Sequence, residues 1–348
     1  MNIDEKTIWH QASGDTDKDY SNICLKWDVI LKGPGAVGKW PDCADSLHCP
    51  SQELYDLECF CEKIKPGDLI ILRIGREHVY GVGEIVGEYE WLPEFSDVDG
   101  LDLQHTRRVR WLWKAENSPK EFKTNSLMYG DTVQKLNPQS PVIEWLRELE
   151  IPEANYQRPI VQIPKLKKIE LTTIEEIVKY LTDKGVVSNS IKNLRDKFDE
   201  FTIIAKWYAE FGKPSEPRTF FHLIIPLFRV LGWTPQKMEF EWNKVDLALF
   251  DRLPRHDDNL AVVVESKNQG ESCLSVISRA QSYAEGKANC KRLIVSDGIR
   301  YGIYFLKQNT IQLYAYMNLT DLRDEYPVYN CFGAKEALHA MTPEWNET

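Results

Sequence analysis

Two short apolar runs, Val245-Asp-Leu-Ala-Leu-Phe250 and Ala261-Val-Val-Val-Glu-Ser-Lys267, decide the fold of the second half of this chain. Each run has the length and the apolar content of a buried strand. Side chains two residues apart in a strand share a face, so Glu265 and Lys267 point the same way at the end of the second run. Apolar packing gives no reason for a carboxylate and an ammonium there. If the two strands are neighbours, Asp246 joins them.

The residue types in this cluster suit metal-dependent hydrolysis of a phosphodiester. The carboxylates of Asp246 and Glu265, with the main-chain carbonyl of Ser266, form a set of hard oxygen ligands for Mg²⁺ or Mn²⁺. Such an ion lowers the pKa of a bound water and stabilises charge on a phosphate. Lys267 would orient that water and neutralise developing charge. The pattern is short, and the alternative is a surface Glu–Lys pair at the end of a strand.

The residues around these two strands alternate between helical and extended patterns. An apolar helix is predicted at 220–233, and Pro226 is expected to kink it or to begin its second half. A second helix is predicted at about 272–287. Strands are predicted at about 237–242, 244–250, 260–267, 291–296, 300–306 and 310–316. This alternation is typical of an α/β sheet covered by helices.

From about residue 216 to 306 the chain resembles the PD-(D/E)XK nuclease superfamily. It is most similar to the branch found at the N-terminus of type I restriction motor subunits and in stand-alone restriction proteins. The resemblance rests on the stretches Ile224-Ile-Pro-Leu-Phe-Arg-Val-Leu-Gly-Trp233, Glu241-Trp-Asn-Lys-Val-Asp246, Glu265-Ser-Lys267, Ala280-Gln-Ser-Tyr-Ala284 and Val295-Ser-Asp-Gly298. It implies an α/β/α nuclease core, Mg²⁺ (or Mn²⁺) as cofactor, and Asp246, Glu265 and Lys267 as catalytic residues.

The resemblance also implies two further positions. Such families often place a Gln and a Tyr on the helix after the Glu-x-Lys strand, near the metal or the DNA backbone. Here Gln281 and Tyr283 are two residues apart rather than four, so Gln281 is the predicted catalytic residue and the role of Tyr283 is open. Val245 stands where the family has a proline before the first acid. An upstream helical glutamate is common in the superfamily, and Glu216 is the candidate; the alternative is a solvated residue after Pro214.

Residues 1–150 carry the signals of a small, curved β-barrel with a few helices. A helix is predicted at about 52–63. Strands are predicted at 68–74, 78–91 and 107–113. The stretch Gly33-Pro-Gly-Ala-Val-Gly-Lys39 matches most of a phosphate-binding loop, but Trp40 stands where that loop needs a Ser or Thr for magnesium. We therefore interpret it as a glycine-rich turn.

Residues 1–115 resemble the EVE branch of the PUA-like barrels. The matching stretches, in this order, are Ile8-Trp9, Lys63-Ile-Lys-Pro-Gly-Asp68, Tyr80-Gly-Val-Gly-Glu-Ile-Val86 and His105-Thr-Arg-Arg-Val-Arg-Trp111. Members of this broad group bind modified bases in aromatic pockets. The resemblance therefore implies a domain, 1–150, that binds a methylated cytosine or adenine in nucleic acid.

The residues of this domain permit such recognition. Aromatic faces stack on an extruded base, a carboxylate can bind the polar edge of that base, and arginines can hold the flanking phosphates. The predicted pocket residues are Trp27, Trp40, Trp91, Trp111 and Asp28, and the predicted DNA-backbone contacts are Arg107, Arg108 and Arg110. The alternative is that most of the tryptophans form the barrel core and that the arginines lie on a solvated face.

Residues 151–213 are predicted to be a linker followed by a helical connector, and the nuclease domain is predicted as 214–348. Three prolines, Pro152, Pro159 and Pro164, mark the linker. Helices are predicted from about 172 to 181 and from 188 to 211. They could connect the domains or form the seam of a homodimer, which would suit a nuclease that cuts two strands.

Composition and charge limit the classes of function. The chain has 348 residues, enough for two domains, and no apolar run long enough to span a membrane. The net charge of −10 lies entirely in residues 1–150, since acidic and basic residues balance after them. This argues against a surface that coats DNA but allows a selective reader of one base. Eight cysteines and an acidic start, Met1-Asn-Ile-Asp-Glu5, indicate reduced thiols in a cytoplasmic protein.

These features together predict a modification-dependent (type IV) restriction endonuclease. Its first domain would recognise a modified base, with modified cytosine as the leading candidate, flipped out of double-stranded DNA. Its second domain would hydrolyse the phosphodiester backbone with Mg²⁺. The alternatives are a non-catalytic reader of modified nucleic acid, an antiviral effector nuclease activated by a small nucleotide ligand, and a repair nuclease that recognises DNA structure.

Overall fold

The structure, a computed structural model, describes residues 3–14, 18–47, 50–116, 118–122, 132–165, 171–212, 214–307 and 310–346. The chain divides into two units, Met1–Leu166 and Lys167–Thr348, each with its own sheet. Both units combine strands and helices, so the expected mixed α/β class is confirmed. No helix in the described parts of the chain is long and apolar enough to cross a membrane.

The first unit is built on a seven-stranded sheet. Its strands are β1 (Ile8–Ala12), β2 (Val29–Lys32), β3 (Leu69–Ile74), β4 (His78–Trp91), β5 (His105–Lys114), β6 (Lys120–Glu121) and β7 (Val133–Lys135). Its helices are α1 (Ser21–Trp27), α2 (Ser51–Glu58), α3 (Pro141–Glu148) and α4 (Glu153–Gln157), and a π-helical turn (Cys59–Lys63) follows α2. The strands predicted for this part of the sequence correspond to β3, β4 and β5, and the predicted helix corresponds to α2 with its π-helical turn.

The strands of this sheet follow the order β2-β5-β4-β3-β1-β7, with β6 paired to β4. The β1–β3 pair is parallel and the other neighbouring pairs are antiparallel. Among the described residues the two ends of this path, β2 and β7, do not pair, so the sheet is open and the expectation of a closed barrel is corrected. Closure needs every edge to be paired, and these end strands have only four and three residues.

Glycine in β4 allows a tryptophan of β5 to pack on the sheet backbone. A Cβ on Gly83 would lie 2.3 Å from Val109 Cγ1 and 2.8 Å from Trp111 Cε3. The Trp111 ring is 2% exposed, and its Nε1 donates a hydrogen bond to the Cys24 carbonyl at 3.2 Å. Trp111 is therefore largely buried, because the missing side chain of Gly83 leaves room for the indole. It also lines a cavity together with Asn155 and Arg158, and its contact with a base stays a prediction.

The second unit is built on an eight-stranded sheet. Its strands are β8 (Met238–Trp242), β9 (Val245–Phe250), β10 (Leu260–Ser266), β11 (Arg292–Ser296), β12 (Arg300–Lys307), β13 (Thr310–Asn318), β14 (Glu325–Tyr326) and β15 (Cys331–Phe332). Its helices are α5 (Ile174–Asp183), α6 (Ser188–Phe211), α7 (Glu216–Thr219), α8 (Ile225–Val230), α9 (Ile277–Ala284) and α10 (Ala334–Ala340). A π-helical turn (Phe220–Ile224) joins α7 to α8, and Pro226 stands in the first turn of α8.

The sheet of the second unit has the order β14-β15-β13-β12-β11-β10-β9-β8. In its centre β10 runs parallel to β11 and antiparallel to β9. Successive residues of β10 face opposite sides: Val262 and Val264 pack with α5, α6, α8 and α10, whereas Val263 packs with α9. Helices therefore cover both faces, which is why the central strands, formed by the runs Val245–Phe250 and Ala261–Lys267, are apolar on both sides.

The helices α5 and α6 belong to the second unit and do not form a separate connector. Leu194, Phe198 and Phe201 of α6 are buried in the same core as Phe228 of α8. Residues up to 166 fall in the first unit. The expectation of an independent 151–213 segment is therefore corrected: the apolar stripe of α6, with its three- and four-residue spacing, needs a sheet or helix partner to bury it.

Candidate active site

Neighbouring strands bring the two predicted acids together. The antiparallel strands β9 and β10 pair Leu247 with Val264, which sets Asp246 and Glu265 beside each other at one end of the pair. The Asp246 amide lies 3.4 Å from Glu265 Oε1, and Asp246 Oδ2 accepts a hydrogen bond from the Ser266 amide at 2.8 Å. Because the two strands are neighbours, Asp246 lies beside Glu265 as expected for that case; the catalytic role of the two carboxylates stays a prediction.

Glu265 is fully buried, which is rare for a carboxylate. Burial, with the negative charge of Asp246 as the second cause, raises the pKa of Glu265 to about 7. Its Oε2 accepts no hydrogen bond from the described residues, although Arg279 Nε lies 3.1 Å away in poorer geometry. A buried acceptor with an open lone pair is costly, so this atom has capacity for a further ligand.

Ser266 links Asp246 to a third carboxylate. The Ser266 Oγ lies 3.0 Å from Asp246 Oδ2 and 2.8 Å from Glu216 Oε1. Glu216 begins α7, and its amide donates to Asn268 Oδ1 at 2.9 Å, so residues that follow β10 hold the start of this helix. The upstream glutamate that the sequence suggested thus lies beside the acid pair. Ser266 takes part through its hydroxyl, whereas its carbonyl was the predicted metal ligand.

Lys267 is held at the end of β10 but its ammonium points to another partner. Its amide donates to the Ser296 carbonyl at 2.9 Å. Its Nζ lies 3.8 Å from Glu271 Oε2, and this is its ion pair within the described part of the chain. The side chain is 30% exposed. Lys267 therefore follows Glu265 closely in the chain, but its ammonium group is paired with Glu271 and not with Glu265.

Helix α9 turns Arg279, not Gln281, toward the acids. Arg279 Nε lies 3.1 Å from Glu265 Oε2, its Nη2 lies 3.8 Å from Asp246 Oδ1, and its Nε donates to Tyr283 Oη at 3.3 Å. Residues four apart share a helix face, whereas residues two apart do not. Gln281 lines a different pocket, beside 284–288, so its predicted catalytic role is corrected. The four-residue spacing of Arg279 and Tyr283 was the signal that could have found Arg279.

A cleft of about 360 Å³ opens beside the acids. Its lining has a polar part, Glu216, Glu241, Asp246 and Ser266, and an apolar part, called here the aromatic wall, which consists of Pro217, Phe220, Phe221 and Phe240. The volume lies in the range of small-molecule and group-binding sites. A ligand that reaches Asp246 through this cleft would therefore contact both polar and aromatic side chains.

In the first unit, two of the arginines predicted to hold DNA phosphates are engaged inside the fold. Arg107 is 1% exposed, and its Nε and Nη2 donate to the carbonyls of Phe60 at 3.0 Å and Cys61 at 2.5 Å. Burial lowers its pKa. Arg108 is also buried and donates to the Val161 carbonyl. Their predicted role is corrected: carbonyls from distant parts of the chain cover these guanidinium groups.

Asp28, predicted to bind the edge of a base, is a buried structural anion. It is fully buried and accepts hydrogen bonds from Arg158 Nη2 at 2.6 Å and from the Val161 amide at 2.8 Å, with Lys114 Nζ at 3.5 Å. These contacts fasten the segment after α4 to the sheet, so the pocket role of Asp28 is corrected. Arg110 is half-buried and donates to the Arg158 carbonyl at 3.1 Å.

Two of the predicted pocket tryptophans lie at the glycine-rich turn that precedes α2: Trp40 follows it directly in sequence, and Trp91 forms a hydrogen bond with it. The half-buried Trp91 donates from Nε1 to the Gly35 carbonyl at 3.0 Å. Trp40, 9% exposed, donates from its amide to Tyr89 Oη at 3.0 Å. Trp27 is half-buried at the end of α1. Trp40 and Trp91 are therefore brought to one loop, and their contact with a base stays a prediction.

Residues 13–137 match the family model described as "Domain of unknown function (DUF8426)". The match spans most of the first unit and none of the second. No curated protein matches the chain.

Proposed function

We propose that this protein is an endonuclease whose second unit, of the PD-(D/E)XK type, hydrolyses the phosphodiester backbone of DNA with Mg²⁺ or Mn²⁺. The observation that carries the proposal is the meeting of Asp246 with the buried Glu265 at the ends of adjacent strands. Two close carboxylates with little solvent are unfavourable for stability, and such groups concentrate at functional sites. A divalent cation is the ligand that would make the arrangement favourable.

The donor set fits a magnesium ion that is bound partly by its substrate. Magnesium usually keeps several waters and binds one or two carboxylates plus phosphate oxygens, without an all-protein cage. Asp246 and Glu265 would supply those carboxylates, and the open Glu265 Oε2 is available to it. Within the described residues, no group of three or more His, Cys, Asp or Glu forms a fuller cage. When bound, the ion would lower the pKa of a coordinated water and offset charge on the phosphate.

The neighbouring side chains have roles that follow from their positions. Ser266 and Glu216 would hold Asp246 Oδ2 in place through the Ser266 hydroxyl. Lys267, which is partly exposed, would leave its ion pair with Glu271 and contact the attacking water or the phosphate. Arg279 is half-exposed beside the acids, and its planar guanidinium suits a phosphate oxygen pair.

The first unit, in this proposal, recognises a modified base in double-stranded DNA in the manner of the EVE branch of PUA-like domains, with modified cytosine as the leading candidate. The support is that Trp40 directly follows the glycine-rich turn and that Trp91 donates to the Gly35 carbonyl of that turn, so aromatic faces at this loop could receive a base turned out of the duplex. Stacking of this kind contributes about 1–3 kcal/mol per base. The whole protein would then be a cytoplasmic, modification-dependent (type IV) restriction endonuclease, and a homodimer would supply one site per strand.

Cleavage of DNAs that differ only in base modification tests both halves of the proposal. The purified protein with Mg²⁺ is given phage or plasmid DNA with plain, methylated, hydroxymethylated or glucosylated cytosine, and adenine-methylated DNA. We expect cleavage of a cytosine-modified DNA alone, and its loss in Lys267→Ala and Asp246→Asn. The matched control is Lys197→Ala, which removes an exposed lysine on α6 whose ion pair is with Glu200.

Each other outcome has a defined meaning. Cleavage of every DNA keeps the nuclease and contradicts selective recognition by the first unit. Binding of modified DNA with no cleavage contradicts the nuclease and favours the non-catalytic reader. Cleavage that appears only after a small nucleotide is added favours the ligand-activated effector, and cleavage only of forked or mismatched DNA favours the repair nuclease.

A further inference from the structure

Two phenylalanine rings stand exposed in the same cleft as the acids. Phe221 is 61% exposed and Phe240 is 42% exposed. Their ring centroids lie 6.3 Å apart, and the buried Phe220 packs edge-on against both. Exposed aromatic surface is unfavourable in water, and a patch of it beside polar groups is typical of a binding site.

The elements that carry the two rings also carry the acids. Phe240 lies on β8, where it pairs in register with Leu247, the neighbour of Asp246 on β9. Phe221 lies in the π-helical turn that directly follows α7, the helix that begins at Glu216. Single π-helical turns are frequent at functional sites, since they change which side chains face outward. The aromatic wall is therefore held in place relative to Asp246 and Glu216.

The acids that line the same cleft limit which ligand can lie against the aromatic wall. A phosphate that reaches Asp246 through the cleft brings its flanking sugar and base to Phe221 and Phe240. Aromatic side chains bind bases by stacking on their faces, whatever the base. In a fully paired duplex both faces of a base are covered by its neighbours, so only an unpaired or extruded nucleotide offers a free face. A protein partner seated here would cover the approach to the acids.

We propose that Phe221 and Phe240 form a stacking site for an unpaired nucleobase next to the phosphate on which the acids act. This inference rests on the proposed nuclease function and names the local form of its substrate. The enzyme would therefore prefer DNA that is single-stranded, bubbled or distorted where it is cut, whichever base the first unit recognises elsewhere.

The stacking site can be tested without cleavage by comparing the binding of an oligonucleotide that carries bases with the binding of one that lacks them. The affinities of the full-length protein for a short single-stranded oligothymidylate and for an abasic oligomer of the same length are measured with Ca²⁺ in place of Mg²⁺. Phe221→Ala/Phe240→Ala is the test variant. The matched control is Phe332→Ala, which removes a 52% exposed phenylalanine on β15. Phe221→Leu/Phe240→Leu keeps an apolar surface without an aromatic face.

We expect wild type to bind the oligothymidylate more tightly than the abasic oligomer by between about 5-fold and 150-fold. This ratio should fall toward one in the alanine and leucine pairs and persist in Phe332→Ala. An unchanged ratio in the alanine pair, or no binding of either oligomer by wild type, overturns the stacking site. Thermal unfolding of each variant confirms that the fold is retained.

Cleavage separates failure of this inference from failure of the proposed function. If DNA is cleaved but the ratio does not depend on Phe221 and Phe240, the nuclease stands and the stacking site falls. If no DNA is cleaved and the ratio still depends on these rings, the stacking site stands and the nuclease falls.

Discussion

The guanidinium of Arg279 contacts the same two carboxylates that a divalent ion would bind. Its Nε lies 3.1 Å from Glu265 Oε2, and its Nη2 lies 3.8 Å from Asp246 Oδ1. Opposite charges at this separation in a partly buried place interact by several kcal/mol before the loss of solvation. In the proposed function, Arg279 and the ion would therefore compete for the acid pair, and the binding of one would displace the other.

Arg279→Gln should lower the free energy of unfolding by roughly 1–3 kcal/mol in the absence of divalent ions, because buried Glu265 loses its cation. At saturating Mn²⁺ the difference should shrink, and the affinity for Mn²⁺ should rise. Urea unfolding with and without Mn²⁺, together with calorimetric titration, measures these effects. Arg255→Gln, which removes a cation paired with Glu239, is the control. A lower Mn²⁺ affinity in Arg279→Gln would show that the arginine supports the ion.

Gln281→Ala should leave the rate of DNA cleavage within about twofold of wild type, as for a substitution away from a functional site. The reason is that Gln281 lines the pocket beside 284–288 and faces away from Asp246 and Glu265. Steady-state cleavage of a modified substrate measures the rate. A loss as large as that of Lys267→Ala would mean that α9 rotates in the complex with DNA.

Asp28→Asn should destabilise the first unit by about 3–5 kcal/mol, because the substitution leaves partners of a fully buried carboxylate without their counter-charge. Denaturant unfolding followed by tryptophan fluorescence reports the change. Asp4→Asn, at an exposed ion pair with Arg147, should change it by less than about 1 kcal/mol. If Asp28→Asn instead weakened the binding of modified DNA with unchanged unfolding, the residue would be a base contact after all.

The stability of the first unit should fall as the pH falls below about 6.5. Burial, with the charge of Arg73 as the second cause, lowers the pKa of His10 to about 3, and Arg73 Nε donates to its Nδ1 at 3.0 Å. An unfolded histidine has a pKa of about 6.5, so the unfolded chain takes up the proton first. This contribution to stability is complete above pH 6.5 and is lost progressively between pH 6.5 and pH 3.

His10→Asn should reduce this pH dependence, since asparagine keeps an acceptor for Arg73 and does not titrate. The free energy of unfolding at pH 7 and at pH 5 is compared for both proteins by urea denaturation. If the free energy of unfolding changed between pH 7 and pH 5 by the same amount in wild type and in the variant, groups other than His10 would cause the acid sensitivity.

The two strands that carry the acids could be predicted from local sequence, whereas their pairing was a condition that the sequence left open. The length and the apolar content of the runs that form β9 and β10 favour strands, and the period of two in a strand places Glu265 on a defined face. Glu216 was a candidate on resemblance alone, and Ser266 Oγ joins it to Asp246. The face of α9 that lies toward the acids was predicted incorrectly. The prediction chose Gln281, whereas the residue four positions before Tyr283, the spacing that the family has between its Gln and Tyr, is Arg279.

The first unit shows where local sequence is insufficient. The alternating stretch Arg107–Trp113 on β5 has the same sequence pattern whether its arginines are solvated or covered. The partners that cover these arginines come from Phe60, Cys61 and Val161, about fifty residues away in sequence. Which face of a strand is covered depends on such distant segments, and no window of sequence contains both.

Local sequence alone thus determined the longer strands and their apolar faces, because these depend on the strand period. It placed Asp246 beside Glu265 only on the condition that β9 and β10 are neighbours, and the pairing of the two strands met that condition. Tertiary packing alone decided that Trp111 and Asp28 are buried, that Arg279 meets the acids and that Phe221 and Phe240 share their cleft. Those outcomes depend on which face a helix turns toward the sheet. They also depend on carbonyl and carboxylate groups from distant parts of the chain, which pair with buried polar groups and so make their burial possible.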